Sequence, residues 1–486
     1  MLLPICQPAT VARRILLVPI LLLVLQFAGC GSLSGRHNPA AGSISIGSGG
    51  GGSASSGSDG APGGSSGSPP GNNVGNGTDG SAVPTTFFGM TGNSGLISRQ
   101  PWPTVPIGTL RLWDSSVSWA EINTANGTYD FSKLDAWLDK AAANGIPDVL
   151  YTFGHTPAFA SSNPSDLSCS LGPGQCDPPS DLNADGSGTD QYWISFVTAI
   201  ATHVGGRIKY WELWNEPHNP LFWTGTAAQM VRMAKDARGI LLAINPNAVV
   251  VSPSPGLRNV GQQWMASFLA AGGGQQVDII AFHGYVNDGI PGVHPTASDL
   301  LVLLQDFKST LAAFNESSKP LWDTEANWGR TSITGLADPD LQAAFLAQFE
   351  FLHVSSGVTR FYWYAWNNND YGTLWRPDPA NPSKSGTLLR TGIAYQQVTE
   401  WLTDAVPSGA CAQQGTVWTC ALSRPGGYQA LAVWDTAQSC SVGVCTSSTF
   451  LLPQTYLHYR DLSGKVRPID TSSVPIGVQP ILLENQ

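Results

Sequence analysis

From about Thr85 the chain alternates short apolar runs with longer amphipathic ones. The apolar runs are FFGM (87–90), TLRLW (109–113), DVLYTF (148–153), IKYWELW (208–214), AVVVS (248–252), DIIAFH (278–283), PLWDTE (320–325) and TRFYWYAW (359–366). Their length and their β-branched and aromatic content predict strands. The stretches between them, such as FSKLDAWLDKAAANG and TAAQMVRMAKDARGILLAI, repeat apolar residues at helical spacing. YQQVTEWLTDA continues that pattern after the last strand, whereas GNSGLISRQPWPTVPIG, after the first, is poor helix material. Eight strands with helices between them predict a parallel α/β fold, and eight strands close a (β/α)8 barrel. A doubly wound open sheet would carry a glycine-rich phosphate turn after an early strand. The sequence has none.

The pattern changes on both sides of this region. Past Pro407, runs such as TVWTCALSR and YQALAVWDT alternate with turn residues, so 407–486 reads as a small all-β, sandwich-like module. Residues 31–83 are almost wholly Gly, Ser, Asn, Pro and Ala. With nothing to bury they predict a flexible tether, with a root-mean-square reach of roughly 40 Å. At the N-terminus, Arg13 and Arg14 precede ILLVPILLLVLQF, 13 residues ending just before Ala28, Gly29 and Cys30. That length suits an export signal better than a membrane span of about 20 residues. FAGC resembles a bacterial lipobox, with Phe27 where leucine is usual. The resemblance implies lipidation at Cys30 and anchoring to the cell envelope. Residues 84–406 are then the barrel.

Composition narrows the partners. The 486 residues are 42% hydrophobic and 12% charged, enough apolar material for a large core. A formal net charge of −10 and the lack of any Lys/Arg-rich run argue against nucleic acid. The 17 tryptophans pack cores or stack on flat ligands such as sugar rings. Of the eight cysteines, six lie beyond the signal. Proximity pairs Cys169 with Cys176, Cys411 with Cys420 and Cys440 with Cys445, as expected after export. None has the CxxC spacing of a zinc site. The segment DLNADGSGTD resembles a calcium loop at Asp181, Asn183, Asp185 and Gly186, but position twelve is Tyr192 rather than an acid. No metal or organic cofactor is implied, and the protein is expected to be a monomer.

Barrel chemistry gathers at the C-terminal ends of the strands. Those ends supply Arg111 and Asp114, His155, Asn215 and Glu216, His283 and Tyr285, Glu325, and Trp363 and Trp366. Glu216 and Glu325 end the fourth and seventh strands, which a barrel sets on roughly opposite walls of one pocket. Two facing carboxyls suit glycosidic bond cleavage, one as acid and one as nucleophile. An acid needs apolar neighbours to keep its proton, and Trp214 and Trp223 are the expected ones. A nucleophile must stay ionised, which a hydrogen bond from Tyr285 or the charge of Arg111 favours. Trp328 joins the candidates for lining the cleft.

WNEP at the end of the fourth strand and a glutamate at the end of the seventh resemble the retaining glycoside hydrolases of clan A. The resemblance covers about 85–405. TLRLWDSSVSWAEINTANGTYDFSKLDAWLDKAAANGI is most similar to family 39, the β-xylosidase-like group, and families 5 and 30 share the skeleton. It implies that Glu216 is the acid/base, Glu325 the nucleophile, and that Asn215 binds a sugar 2-hydroxyl. The long, cysteine-bearing loop after the third strand departs from the group, so no substrate is carried over.

Alternatives remain at this stage. Glu212 and Asp323 share strand parity with Glu216 and Glu325, although they lie deeper. His283 also fits a core histidine, His155 a loop residue, Arg111 a barrel-floor ion pair, and Trp328, Trp366 and Trp375 simple packing. The sequence as a whole predicts an exported hydrolase of β-linked oligo- or polysaccharides. Its rival is a non-catalytic carbohydrate-binding protein on the same barrel.

Overall fold

The computed structural model describes residues 80–98, 100–287, 294–368 and 370–486. The expected signal segment, Cys30 and nearly all of the tether lie outside the described residues. All eight expected barrel strands form: β1 (Phe88–Thr91), β2 (Thr109–Leu112), β3 (Asp148–Thr152), β4 (Tyr210–Glu212), β5 (Val249–Val251), β6 (Ile280–Phe282), β7 (Leu321–Ala326) and β8 (Val358–Trp363). Their parallel ladder runs β5-β4-β3-β2-β1-β8-β7-β6. A parallel bridge between Val251 and Ile279 joins its two ends and closes the barrel. Observed strands are shorter than the apolar runs. In β4 the ladder stops at Glu212, because the chain must turn for Glu216, whose φ is +41°.

Seven long helices follow β2 to β8: α1 (Ser132–Ala143), α2 (Gln191–Val204), α3 (Ala227–Ile244), α4 (Asn259–Ala270), α5 (Asp299–Ala313), α6 (Pro339–Ser355) and α7 (Arg390–Leu402). After β1, among the described residues, only the single turn Gly95–Ser98 forms, as its composition predicts. In α1 the buried positions are Leu134, Trp137, Leu138 and Ala141, one stripe against the barrel. Helix α6 differs. Asp338 caps it, accepting from the backbone N–H groups of Asp340 and Leu341, and Pro339 starts it. It is buried nearly all round, because a second layer covers the face turned away from the barrel.

That layer is the C-terminal region. Antiparallel strands β9 (Val417–Arg424), β10 (Tyr428–Asp435), β11 (His458–Arg460), β12 (Val466–Pro468) and β13 (Ile481–Glu484) form most of one sheet, ordered β9-β10-β13-β11-β12. One face carries Trp418, Leu422, Ala432, Trp434 and Leu482 into the same core as the barrel helices. The Trp434 ring lies 6.3 Å from Phe351 of α6 and is stacked on Trp418 at 6.0 Å. Leu431, Val433, Ile481 and Leu483 alternate onto the other face. There a two-stranded ribbon, Ser448–Leu451 with Ser473–Ile476, covers them. The expected sandwich is therefore one broad sheet with a narrow second layer, and its larger partner is the barrel itself.

All three expected cysteine pairs are disulfides: Cys169–Cys176, Cys411–Cys420 and Cys440–Cys445. The calcium-like loop is closed by protein groups. Arg232 donates to the carbonyls of Gly186 at 3.3 Å and Gly188 at 3.2 Å, and Asp185 accepts from the Ser187 N–H at 2.9 Å. Among the described residues, no helix is long and apolar enough to cross a membrane.

Because barrel and sheet share one core, Trp434→Ala is expected to cost about 3–5 kcal/mol. Urea unfolding followed by tryptophan fluorescence and by far-UV circular dichroism should still show one shared transition. Two separate transitions in the wild type would contradict the shared core.

Candidate active site

The site is assembled around a cation on the barrel axis. Arg111, on β2, is fully buried, and its guanidinium spans three strand ends. Nε donates to Glu212 Oε2 at 2.8 Å, Nη1 to Glu325 Oε2 at 2.7 Å and Nη2 to Asn215 Oδ1 at 2.8 Å. Glu212 needs this charge, since an unpaired buried carboxylate is costly. It also accepts from the hydroxyls of Thr152 and Thr324, each at 2.6 Å. Every oxygen of Glu212 is thus committed, and it is the buried structural partner rather than a rival to Glu216.

Above this layer stand the two glutamates. Glu325 Oε1 accepts from the Tyr285 hydroxyl at 3.0 Å. Glu216 Oε1 lies 3.0 Å from His283 Nδ1. The other nitrogen of His283, Nε2, lies 3.4 Å from Arg111 Nη2. A guanidinium can only donate, so Nε2 keeps its lone pair and the ring hydrogen sits on Nδ1, aimed at Glu216. Carboxylate oxygens of Glu216 and Glu325 and a ring nitrogen of His283 all fall within 4.8 Å of one another. The Asn215 amide, with its oxygen held by Arg111, turns toward the cleft.

Asp323 does not share the face of Glu325. Opposite β8, Asp323 pairs with Phe361 and Ala326 with Trp363, so three residue steps on β7 match two on β8. Trp322 faces the barrel interior, so Asp323 points outward by alternation, and the bulge brings Glu325 to the inner side next to Thr324. The Asp323 carboxylate lies 2.8 Å from His353 Nε2 of α6 and accepts from the Gly284 N–H at 3.0 Å. Glu325 is left facing the cleft.

The cleft has a volume of about 960 Å³ and is lined by Trp113, His218, Phe222, Tyr285, Tyr364 and Tyr371 beside the two glutamates. Asn215, His283 and Tyr285 lie where the sequence places them, and Arg111 sits just beneath. His155 stands apart, edge-on to Trp113 at 4.6 Å, outside the glutamate cluster. Trp223, Trp328, Trp363 and Trp366, expected in the cleft, are buried in the core and line none of it. The reason on β8 is parity: Tyr362 points into the barrel interior, so Tyr364 reaches the cleft and Trp363 faces the helices. Alternation from Tyr362 was the signal that could have found Tyr364. A cis peptide joins Tyr364 to Ala365.

The resting protonation differs from the expected one. Burial pushes the Glu216 carboxyl up, but the hydrogen bond and charge of His283 outweigh it and hold the carboxyl below its ordinary range. The predicted tryptophan environment does not form: Trp214 is turned into the core, donating to the Phe222 carbonyl at 3.0 Å. Burial pushes His283 down, yet the charge of Glu325 and the bond to Glu216 leave it raised. Glu325 is raised by burial, against the pull of His283 and Arg111. The expected Tyr285 and Arg111 contacts to Glu325 are both present.

Comparison with known proteins fits this geometry. Residues 186–395 match the family described as the glycosyl hydrolase catalytic core. The fold is that of a glycoside hydrolase catalytic core. A family 39 glycoside hydrolase from Bacteroides cellulosilyticus WH2 superposes with a TM-score of 0.60 at 18% identity, covering 83% of this chain and 81% of that one. A family 39 β-xylosidase from Caulobacter crescentus gives 0.58 at 16% identity over 84% and 98%. The catalytic domain of a family 30 xylanase C from Talaromyces cellulolyticus gives 0.54 at 12% over 84% and 97%. Alkali-sensitive linkage protein 1 of Schizosaccharomyces pombe is 28% identical over 145 residues, 29% of this chain. The chain spans 24% of the length of that relative.

Two outcomes follow from the buried network. Arg111→Met leaves Glu212 and Glu325 without their cation and should cost about 3–5 kcal/mol in urea unfolding. Burial raises the Glu212 carboxyl, but the charges of Arg111 and His283 and the hydroxyls of Thr152 and Thr324 lower it further. A carboxyl lowered on folding contributes stability above its unfolded pKa of about 4.3 and loses it as pH falls through the folded value. Glu212→Gln should therefore flatten the fall in stability below about pH 4. An unchanged acid limb would remove Glu212 as its source.

Proposed function

We propose that the barrel is a retaining β-glycoside hydrolase. One observation carries the reading: the facing oxygens of Glu216 and Glu325 lie within 4.8 Å. Retaining enzymes hold their carboxyls about 5–5.5 Å apart, whereas inverting enzymes need about 6.5–9.5 Å to admit a water. Glu325 attacks the anomeric carbon while Glu216 gives a proton to the departing glycosidic oxygen. A glycosyl ester on Glu325 results. Water, losing a proton to Glu216, then displaces Glu325 and releases the sugar with its configuration retained.

The proton inventory supports this sequence. In the empty cleft the His283 ring donates its Nδ1–H to the Glu216 carboxylate across 3.0 Å. A sugar that expels water from the cleft disfavours the charge on that carboxylate, and Glu216 takes up a proton from solvent before it serves as the acid. Entry of the sugar leaves Arg111 and Tyr285 as donors to Glu325, and both favour its ionised form. Export and lipid anchoring at Cys30 belong to the same proposal, supported by the apolar run before Cys30 and by the three disulfides.

Incubation of residues 84–486 with β-linked glucans, xylans, mannans and mixed bacterial exopolysaccharides tests it, with products read by mass spectrometry. Wild type should release oligosaccharides. Glu325→Ala should release none, and Glu216→Ala should fall by about 10²–10⁴-fold. Full activity in Glu325→Ala would end the mechanism. Sugar binding without cleavage across the panel would favour a carbohydrate-binding protein.

A further inference from the structure

Beside the cleft, behind Trp113, lies a second pocket of about 270 Å³. Trp113, Asp114 and Leu171 line both spaces, so the pocket adjoins the cleft. Its walls come from the loop after β2 (Ser115, Ser116 and Ser118 among them) and from the long loop after β3, through Leu171 and Gln175. This second loop is the segment that departs from the resembling families.

The backbone around the pocket is held in an unusual state. Asp114, Ser116 and His155 have φ values of +56°, +58° and +66°. These are three of the eight described non-glycine residues with positive φ, and all three line this one pocket. Such conformations are disfavoured for residues with a Cβ and gather where a site must be held in shape. The far wall is also fixed. Leu171 and Gln175 lie between Cys169 and Cys176, whose disulfide closes the turn. The Gln175 carbonyl accepts from the Thr156 N–H at 3.0 Å, and the Ser170 N–H donates to the Leu221 carbonyl at 3.1 Å.

Polar groups are left over inside. His155 Nε2 is buried and makes no hydrogen bond. Among the described residues, the Gln175 amide and the Ser116 hydroxyl have no side-chain partner either. Burial pushes His155 down to about 3, so at neutral pH its imidazole is uncharged. Among the described residues, the charged groups lining the pocket are Asp114 and Glu121, with no lysine or arginine. Carboxylates accept from hydroxyls and repel anions, so a uronate, sulfate or phosphate group does not fit. The volume lies just below the about 300–1,000 Å³ typical of ligand pockets, which suits a single ring. Trp113 offers that ring an apolar wall.

We propose that this pocket is a specificity site that receives one neutral sugar ring branching from the chain held in the cleft. The assignment rests on the glycosidase reading for its backbone, but binding tests it without turnover. The inactive Glu325→Ala protein is titrated in a calorimeter with three pairs of tetrasaccharides, each linear or singly branched. The pairs are β-1,4-xylan with or without an arabinofuranosyl branch, β-1,4-glucan with or without a xylosyl branch, and β-1,3-glucan with or without a β-1,6-glucosyl branch. In at least one pair the branched sugar should bind tenfold or more tightly than its linear partner. Adding Gln175→Trp, which fills the pocket from the surface loop, should bring that branched sugar to the linear affinity. The linear affinity should stay within twofold, and the melting temperature should be unchanged. No branch preference in any pair, no binding of any branched probe, or equal loss for both members on Gln175→Trp would overturn the proposal. Branch-dependent binding with no cleavage by wild type would sink the hydrolase reading and leave the pocket standing. Equal kcat/KM on linear and branched chains would do the reverse.

Discussion

The buried guanidinium of Arg111 is the constraint on which the site depends. One planar fork touches β4 through Glu212, β7 through Glu325 and the turn after β4 through Asn215. Its fixed donor geometry sets where these groups lie relative to one another. It also sets the tautomer of His283, and through it the hydrogen bond at Glu216. Burying a cation with two carboxylates leaves one formal negative charge in a dry barrel. The charge of Glu325 and the bond to Glu216 keep His283 raised, and burial makes Glu325 hold a proton more readily than an exposed glutamate. Structure and acid–base chemistry are therefore one problem here: no member can change charge without the others responding.

Most of the barrel was legible in the sequence because its signals are local. Apolar runs and turn residues mark the strands, and the helices carry a one-sided stripe that survives in α1. Glu216, Glu325, Asn215, His283 and Tyr285 were legible because strand ends in a barrel point to one place. What failed was side-chain direction. Trp363 and Trp366 were placed in the cleft by residue type, whereas the pleat assigns that position to Tyr364. Asp323 and Glu325 looked equivalent until the ladder irregularity separated them. Proton affinities failed for a different reason. Neighbours in sequence, Trp214 among them, suggested an apolar setting for Glu216, but a histidine 67 residues away decides it.

The C-terminal sheet shows how far local pattern can mislead about partnership. Alternation along β10 marks two buried faces, and a sandwich is the natural reading. One of those faces is claimed by α6, whose near-total burial has no helical stripe to announce it. Phe351, Trp401, Trp418 and Trp434 form a single aromatic seam across the junction. Barrel and sheet are two patterns in the sequence and one body in the fold.

The bulge on β7 has a consequence for how this site can vary. It sets two successive residues, Thr324 and Glu325, on the inner side between outward Asp323 and Ala326, so the depth of Glu325 is stored as a residue count. Swapping side chains along β7 leaves that count alone. Removing Thr324 would restore an even pleat and keep the neighbouring ladders, but it would draw the Glu325 carboxyl down to the level where Thr324 now donates to Glu212. The strand therefore accommodates changes of side chain more readily than a change of length at this one step.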